Sequence, residues 1–214
     1  MLLPILLVLS LTINSAFSLN KKCPGKEMLH FKRTPTAKNN YTSDWCVFTI
    51  AFPKMDNRAN ARSVCGFFGA SLTIPENQQE FDAIKKALKK YENITEGHII
   101  DGEISPHCKA KYAREKYLFM KNKKDCDILG NAFIFDDVNT DPTFIVKQYP
   151  SLSPTEYTEE VIEGFKEIPL KMFGSCLSII QEDWELHLSY CEGNQRRPGA
   201  KTIFNSVVCG MFPE

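Results

Sequence analysis

Eight cysteines, Cys23, Cys46, Cys65, Cys108, Cys126, Cys176, Cys191 and Cys209, follow an uncharged apolar leader, and no other feature limits the fold so strongly. Met1 to Ser18 is dominated by Leu, Ile and Val and closes on the small-x-small pattern Ala16-Phe17-Ser18, which reads as a signal peptide cleaved after Ser18. A retained anchor is the alternative, because the basic residues that usually open a signal peptide are missing. In an exported chain an even cysteine set reads as four disulfides, and spacing alone leaves the pairing open. Zinc is the rival reading. Against it, there is no Cys-x-x-Cys pair and the four histidines do not cluster at ligand spacing.

Residues 19–214 suffice for a single domain with a sizeable core and are cramped for two. Lys plus Arg and Asp plus Glu number 26 each, so no net field steers the chain toward nucleic acid or an anionic membrane. No stretch after residue 18 is apolar enough to insert into a bilayer, so the chain reads as secreted and extracellular. Two sequons, Asn40-Tyr41-Thr42 and Asn93-Ile94-Thr95, mark candidate glycosylation sites on that route.

The centre of the sequence is a helix running straight into a strand. Ala61, Val64, Cys65 and Phe68 share one helical face, with Asp56 or Asn57 as the N-cap and Gly66 and Gly69 as the stop. Ala70, Leu72 and Ile74 then alternate with Ser71 and Thr73 as in a half-buried strand. Cys65 faces inward and must be met by a distant cysteine. Before this unit, Trp45 to Ile50 reads as a strand pairing with Met28 to Phe31, which would bring Cys23 and Cys46 together. After it, Thr73-Ile-Pro-Glu76 reads as a capping box for a second helix with the stripe Phe81, Ile84, Leu88 and Tyr91. Lys85, Lys86, Lys89 and Lys90 form its solvated, dipole-favourable end. His98 to Gly102 predicts a strand entering an Asp-Gly turn, Asn131 to Asp137 a strand ending in a solvated acidic turn, and Cys176 to Ile180, the neighbourhood of Trp184 and Ile203 to Cys209 the last strands. Strands at both ends with two helices between them give an α+β class.

The order of these signals resembles the C-type lectin-like domain, especially its large secreted nematode group. The residues carrying the resemblance are Cys23-Pro24-Gly25, Trp45-Cys46-Val47-Phe48, Cys65 leading into Gly69 to Ile74, Glu80-Phe81, Ile100-Asp101-Gly102, Cys176-Leu177, Cys191 and Val208-Cys209-Gly210. It implies a disulfide-braced fold of two helices, small antiparallel sheets and a long irregular loop region. It also implies the pairs Cys23–Cys46, Cys65–Cys209, Cys176–Cys191 and Cys108–Cys126.

Sugar-binding members of that family hold calcium with a Glu-Pro-Asn or Gln-Pro-Asp triplet in the long loop and a Trp-Asn-Asp triplet before the penultimate cysteine, since a hard cation needs an oxygen shell. Here the first is replaced by Gln148-Tyr149-Pro150-Ser151 and the second by Leu186-His187-Leu188. No calcium is therefore expected at the sugar site, and no other cofactor. The resemblance then implies calcium-independent recognition of a glycan, or a lectin-like scaffold binding a protein. Gln148, Tyr149, Trp184 and His187 are the candidate ligand-binding residues. No catalytic residue is expected: the histidines His30, His98, His107 and His187 are scattered and no hydrolase or phosphate-loop motif occurs. Ser153-Pro154-Thr155-Glu156 carries helix-start signals, and Tyr157, Val161 and Phe165 recur every fourth residue, so a short helix is expected from about Pro154 to Phe165.

Overall fold

The computed structural model describes residues 21–53, 55, 57–108, 132–148, 176–189 and 203–214. The expected signal peptide, Tyr149, Cys126, Cys191 and the expected helix over 154–165 lie outside them.

The elements in chain order are β1 (Leu29–Lys32), β2 (Asp44–Ala51), α1 (Arg58–Phe67), β3 (Ser71–Leu72), α2 (Gln78–Leu88), β4 (Gly97–Ile104), β5 (Phe133–Ile134), α3 (Thr143–Gln148), β6 (Cys176–Ile180), β7 (Glu185–Ser189) and β8 (Phe204–Met211). The class is α+β, and the strands join into one sheet ordered β1-β2-β8-β4-β6-β7, with β3 added to β8 and β5 to β4. Every ladder is antiparallel except β4–β8, which is parallel. The last strand thus lies in the middle of the sheet. Lys22 and Glu214 exchange two backbone hydrogen bonds of 3.0 Å, so the ends of the described chain meet.

Alternation along β8 divides the interior in two. Val207 and Cys209 face α1, where Met55, Ala61, Cys65, Leu72 and Phe204 are buried. Val208 faces α2 and joins Trp45, Phe81, Ile84, Leu88, Leu177 and Ile179. The stripe read on α2 is therefore its buried face. Two disulfides clamp the layers: Cys23–Cys46 ties the N-terminal segment to β2, and Cys65–Cys209 ties α1 to β8. Cys108 and Cys176 are also disulfide-bonded, with partners outside the described residues.

Of the two caps offered for α1, Asn57 serves, its side chain accepting the Asn60 N–H at 2.8 Å. Three local expectations change. The α2 cap is Asn77, accepting from Glu80 at 2.9 Å, and Thr73 turns away to Asp137 instead, because a buried carboxylate offers its hydroxyl a better partner than a helix end does. Gly102, at φ +114°, makes a shift of register inside β4 and no hairpin turn. A Cβ there would come within 2.5 Å of Leu177, so the residue must be glycine on both counts. Trp184 lies in the β6–β7 turn at φ +57° and β7 starts one residue later.

Candidate functional site

The β6–β7 hairpin is built by direct pairing of Ser178 with His187 and Ile180 with Glu185. Period-two alternation sends Leu177, Ile179, Leu186 and Leu188 to the α2 core and leaves His187 half-buried on the other face. His187 Nε2 lies 2.8 Å from Asp183 Oδ2. Burial works against ionising Asp183, but the Glu185 amide and His187 outweigh it, and its carboxyl sits below the ordinary range. Trp184 stacks on His98 at 5.5 Å between ring centroids, and Lys89 Nζ lies 6.0 Å from the indole. The indole is thus half-buried, with one face covered by the imidazole.

His98 on β4 links β8 to the β6–β7 turn. Its Nδ1 meets the Ser206 hydroxyl and its Nε2 lies 3.3 Å from the Gln181 amide. Ser206 and His98 are both fully buried, so the pair is a core contact closed to substrate. Burial pulls the imidazole pKa from its ordinary 6.5 to about 4. As pH falls through 6.5 the unfolded chain takes up a proton that the folded chain refuses, so stability is lost on acidification until about pH 4. Unfolding free energies of the wild type and His98→Leu, measured between pH 7.5 and 4, are expected to converge on acidification by about 3 kcal/mol. A constant difference would show that His98 titrates as if exposed.

A second constellation fixes residues 132–148, the segment leading into the expected loop. Arg33 grips Glu80 with two parallel bonds of 3.0 and 2.8 Å and donates to Thr140 Oγ1 at 2.8 Å and the Asn139 carbonyl at 3.2 Å. Glu76 Oε1 accepts the Asp141 N–H at 2.8 Å. Asp137, expected in a solvated turn, is buried: Thr73 and Thr140 donate to its Oδ2 and the Asn139 amide to its Oδ1. Its own N–H donates to Asp101 Oδ2 at 2.8 Å, and Asp101 pairs with buried Arg58. Exposed Asp136 receives Arg62 at 2.6 and 3.1 Å and Arg58 at 3.2 Å. The adjacent aspartates therefore join two arginine-centred networks, an anchor that pins the base of the loop to β1, α1, α2 and β4. Little in the residue pattern around Asp136-Asp137 announced this, because Arg58, Arg62, Thr73 and Asp101 lie far away in sequence and only Asn139 and Thr140 are local.

Two bridges of this spacing, a C-terminal strand in mid-sheet and an anchored segment between two strand groups make a specific frame. The sequence matches the C-type lectin domain-containing protein 141/158 family over residues 30–212. The chain belongs to that family. Caenorhabditis elegans C-type lectin domain-containing protein 158 is 28% identical over 199 residues, which are 90% of each chain. Among solved structures, human lithostathine superposes with a TM-score of 0.50 at 13% identity, covering 89% of this chain and 91% of that one. The carbohydrate-recognition domain of cow CD23 gives 0.45 at 15% identity over 90% and 97%. The C-type lectin fold is thereby established, with Cys23–Cys46 and Cys65–Cys209 as the resemblance implied.

The resemblance sets Leu186-His187-Leu188, on β7, in place of the Trp-Asn-Asp triplet of sugar-binding members. They do not fit calcium: Leu186 is buried and Leu188 packs against the same core, while His187 offers a nitrogen already paired with Asp183. The structure unites Trp184 and His187 on one hairpin and places Gln148 at the end of α3. Between them runs α2, with Phe81 near Phe144 at one end and Lys89 by Trp184 eight residues on, about 12 Å along the helix. Asn40 and Asn93, the sequon asparagines, are both exposed. Among the described residues no helix is long and apolar enough to cross a membrane.

Proposed function

We propose that this chain is a secreted, glycosylated binding protein that recognises an extracellular glycan, such as one on a microbial surface in innate defence, without calcium and without turnover. The observation supporting it is the leucine pair on β7: two side chains are committed to the core at the positions that the family resemblance aligns with oxygen ligands for calcium. Candidate contacts are Gln148 and Tyr149 at the start of the long segment and His187 and Trp184 on the hairpin. The rigid anchoring of residues 132–148 supports a preorganised surface, which lowers the ordering cost of binding.

A glycan array read with calcium and again with chelator tests this. Sugar binding that survives chelation is the expected result, and chelator-sensitive binding would restore a calcium site. The melting temperature is likewise expected not to rise on adding millimolar calcium, since an ion bound only by the folded state must stabilise it. Silence on the array under both conditions would favour a protein ligand. That second reading has its own support: Phe67 is 84% exposed and stacks edge-to-face on Phe68, which does the same on Phe48.

A further inference from the structure

The loop between β1 and β2 holds a hydroxyl with no structural task. Thr42 is 3% exposed, and its Oγ1 has no hydrogen-bond partner among the described residues. A buried unsatisfied hydroxyl opposes folding, and valine would fill the same volume without that penalty. Thr95 gives the contrast. Its hydroxyl lies 2.7 Å from the Ile203 carbonyl and 2.5 Å from that of Gly97, and it accepts the Asn205 N–H at 3.0 Å. Both threonines end an Asn-x-Thr sequon, yet only Thr95 is accounted for by the fold. Thr49 Oγ1 is also buried without a partner among the described residues, so an orphaned hydroxyl alone does not mark a sequon; what sets Thr42 apart is its place two residues after the exposed Asn40, where a hydroxyl is read in the nascent chain.

The folded loop is shaped to keep the product. Asn40 and Tyr41 both have positive φ, +50° and +56°, which turns the two side chains outward. The turn is held from within by Asn39, whose amide oxygen accepts the Thr36 N–H and whose Nδ2 donates to the Thr34 carbonyl. Tyr41 is 71% exposed, and so is Val138 at 65%, one residue before Asn139. Asn40 Nδ2 donates to Asn139 Oδ1 at 3.2 Å, so a sugar on that nitrogen starts beside the 138–139 segment.

We propose that Asn40 carries an N-linked glycan whose first N-acetylglucosamine lies over Tyr41 and Val138. Transfer from a lipid-pyrophosphate oligosaccharide forms the bond from Nδ2 to sugar C1 and breaks that from C1 to the pyrophosphate oxygen; pyrophosphate-lipid leaves and Nδ2 loses one of its two protons. The remaining proton still serves Asn139. The apolar face of the sugar covers the phenol ring and the valine methyls, two exposed groups that contribute nothing to the core. The Tyr41 surface is thereby taken from the list of faces open to an external ligand.

The inference rests on the proposed passage through the secretory pathway, and the test separates the two. The full chain is expressed in insect cells, and protein from the medium is mapped by peptide mass spectrometry with and without peptide N-glycosidase. Occupied Asn40, lost in Asn40→Gln and in Thr42→Val, is the expected result; secreted protein with bare Asn40 overturns the glycan alone, and a chain retained in the cytosol overturns secretion and glycan together. In protein made without glycans, Thr42→Val is expected to melt at or above the wild type and Thr95→Val below it. A Thr42→Val loss equal to that of Thr95→Val would give Thr42 a structural task and remove the argument. Wild-type protein trimmed to its first N-acetylglucosamine is expected to melt above protein made without glycans, a difference that Tyr41→Ser abolishes. Equal melting would overturn the placement of the sugar.

Discussion

Replacing Cys65 and Cys209 together by alanine is expected to lower the unfolding free energy by about 5 kcal/mol, because this bridge closes a loop with a sequence separation of 144 residues. The same replacement at Cys23 and Cys46, with a separation of 23, is expected to cost about 3 kcal/mol. Both measurements use urea unfolding with the other bridges left oxidised. The difference arises mainly in the unfolded chain, whose freedom the longer cross-link restricts more. In the folded state Cys65–Cys209 is fully buried and Cys23–Cys46 half-buried, and both hold a helix or terminal segment against the central strands. Equal losses for the two pairs would show that native packing around the sulfurs, and not loop closure, supplies the stability.

Arg33→Met is expected to cost about 3 to 5 kcal/mol, because it strands Glu80 and removes the charge beside Glu76 inside the protein. Glu80→Leu is expected to cost a similar amount by stranding Arg33. The double variant Arg33→Met, Glu80→Leu should recover much of either loss, since a buried pair replaced by apolar side chains leaves no isolated charge. Strictly additive losses would show that the two residues act independently. Loss of near-native packing around Asn139 and Thr140 in Arg33→Met, read by amide exchange, would locate the effect at the base of the loop, where Arg33 holds both residues.

The two adjacent aspartates show how far the sequence could be read. Asp136 and Asp137 looked like a solvated turn because carboxylates in a turn usually are solvated, and a side chain's charge says nothing about partners placed many residues earlier in the chain. Their partners, Arg58, Arg62, Thr73 and Thr140, range from the first helix to the same turn. Trp184 taught the same lesson at the hairpin. It was legible as a residue of interest, but its stacking on His98 depends on β4 lying beside β6, which no local pattern encodes.

What the sequence determined by itself was whatever repeats at a local period or follows from chemistry in one residue. The stripe Phe81, Ile84 and Leu88, the strand over Cys176 to Ile180 and the inward cysteine at 65 needed only 3.6- and 2-residue periods and residue chemistry. Tertiary structure alone decided the parallel pairing of β8 with β4, the diversion of Thr73 from a helix cap to Asp137, and the burial of Arg33 against Glu80. Apolar burial is non-directional and can be read from which residues recur, whereas a buried hydrogen bond or ion pair requires two particular groups at a set distance and angle. That geometry exists only once strands and helices from distant parts of the chain have packed together.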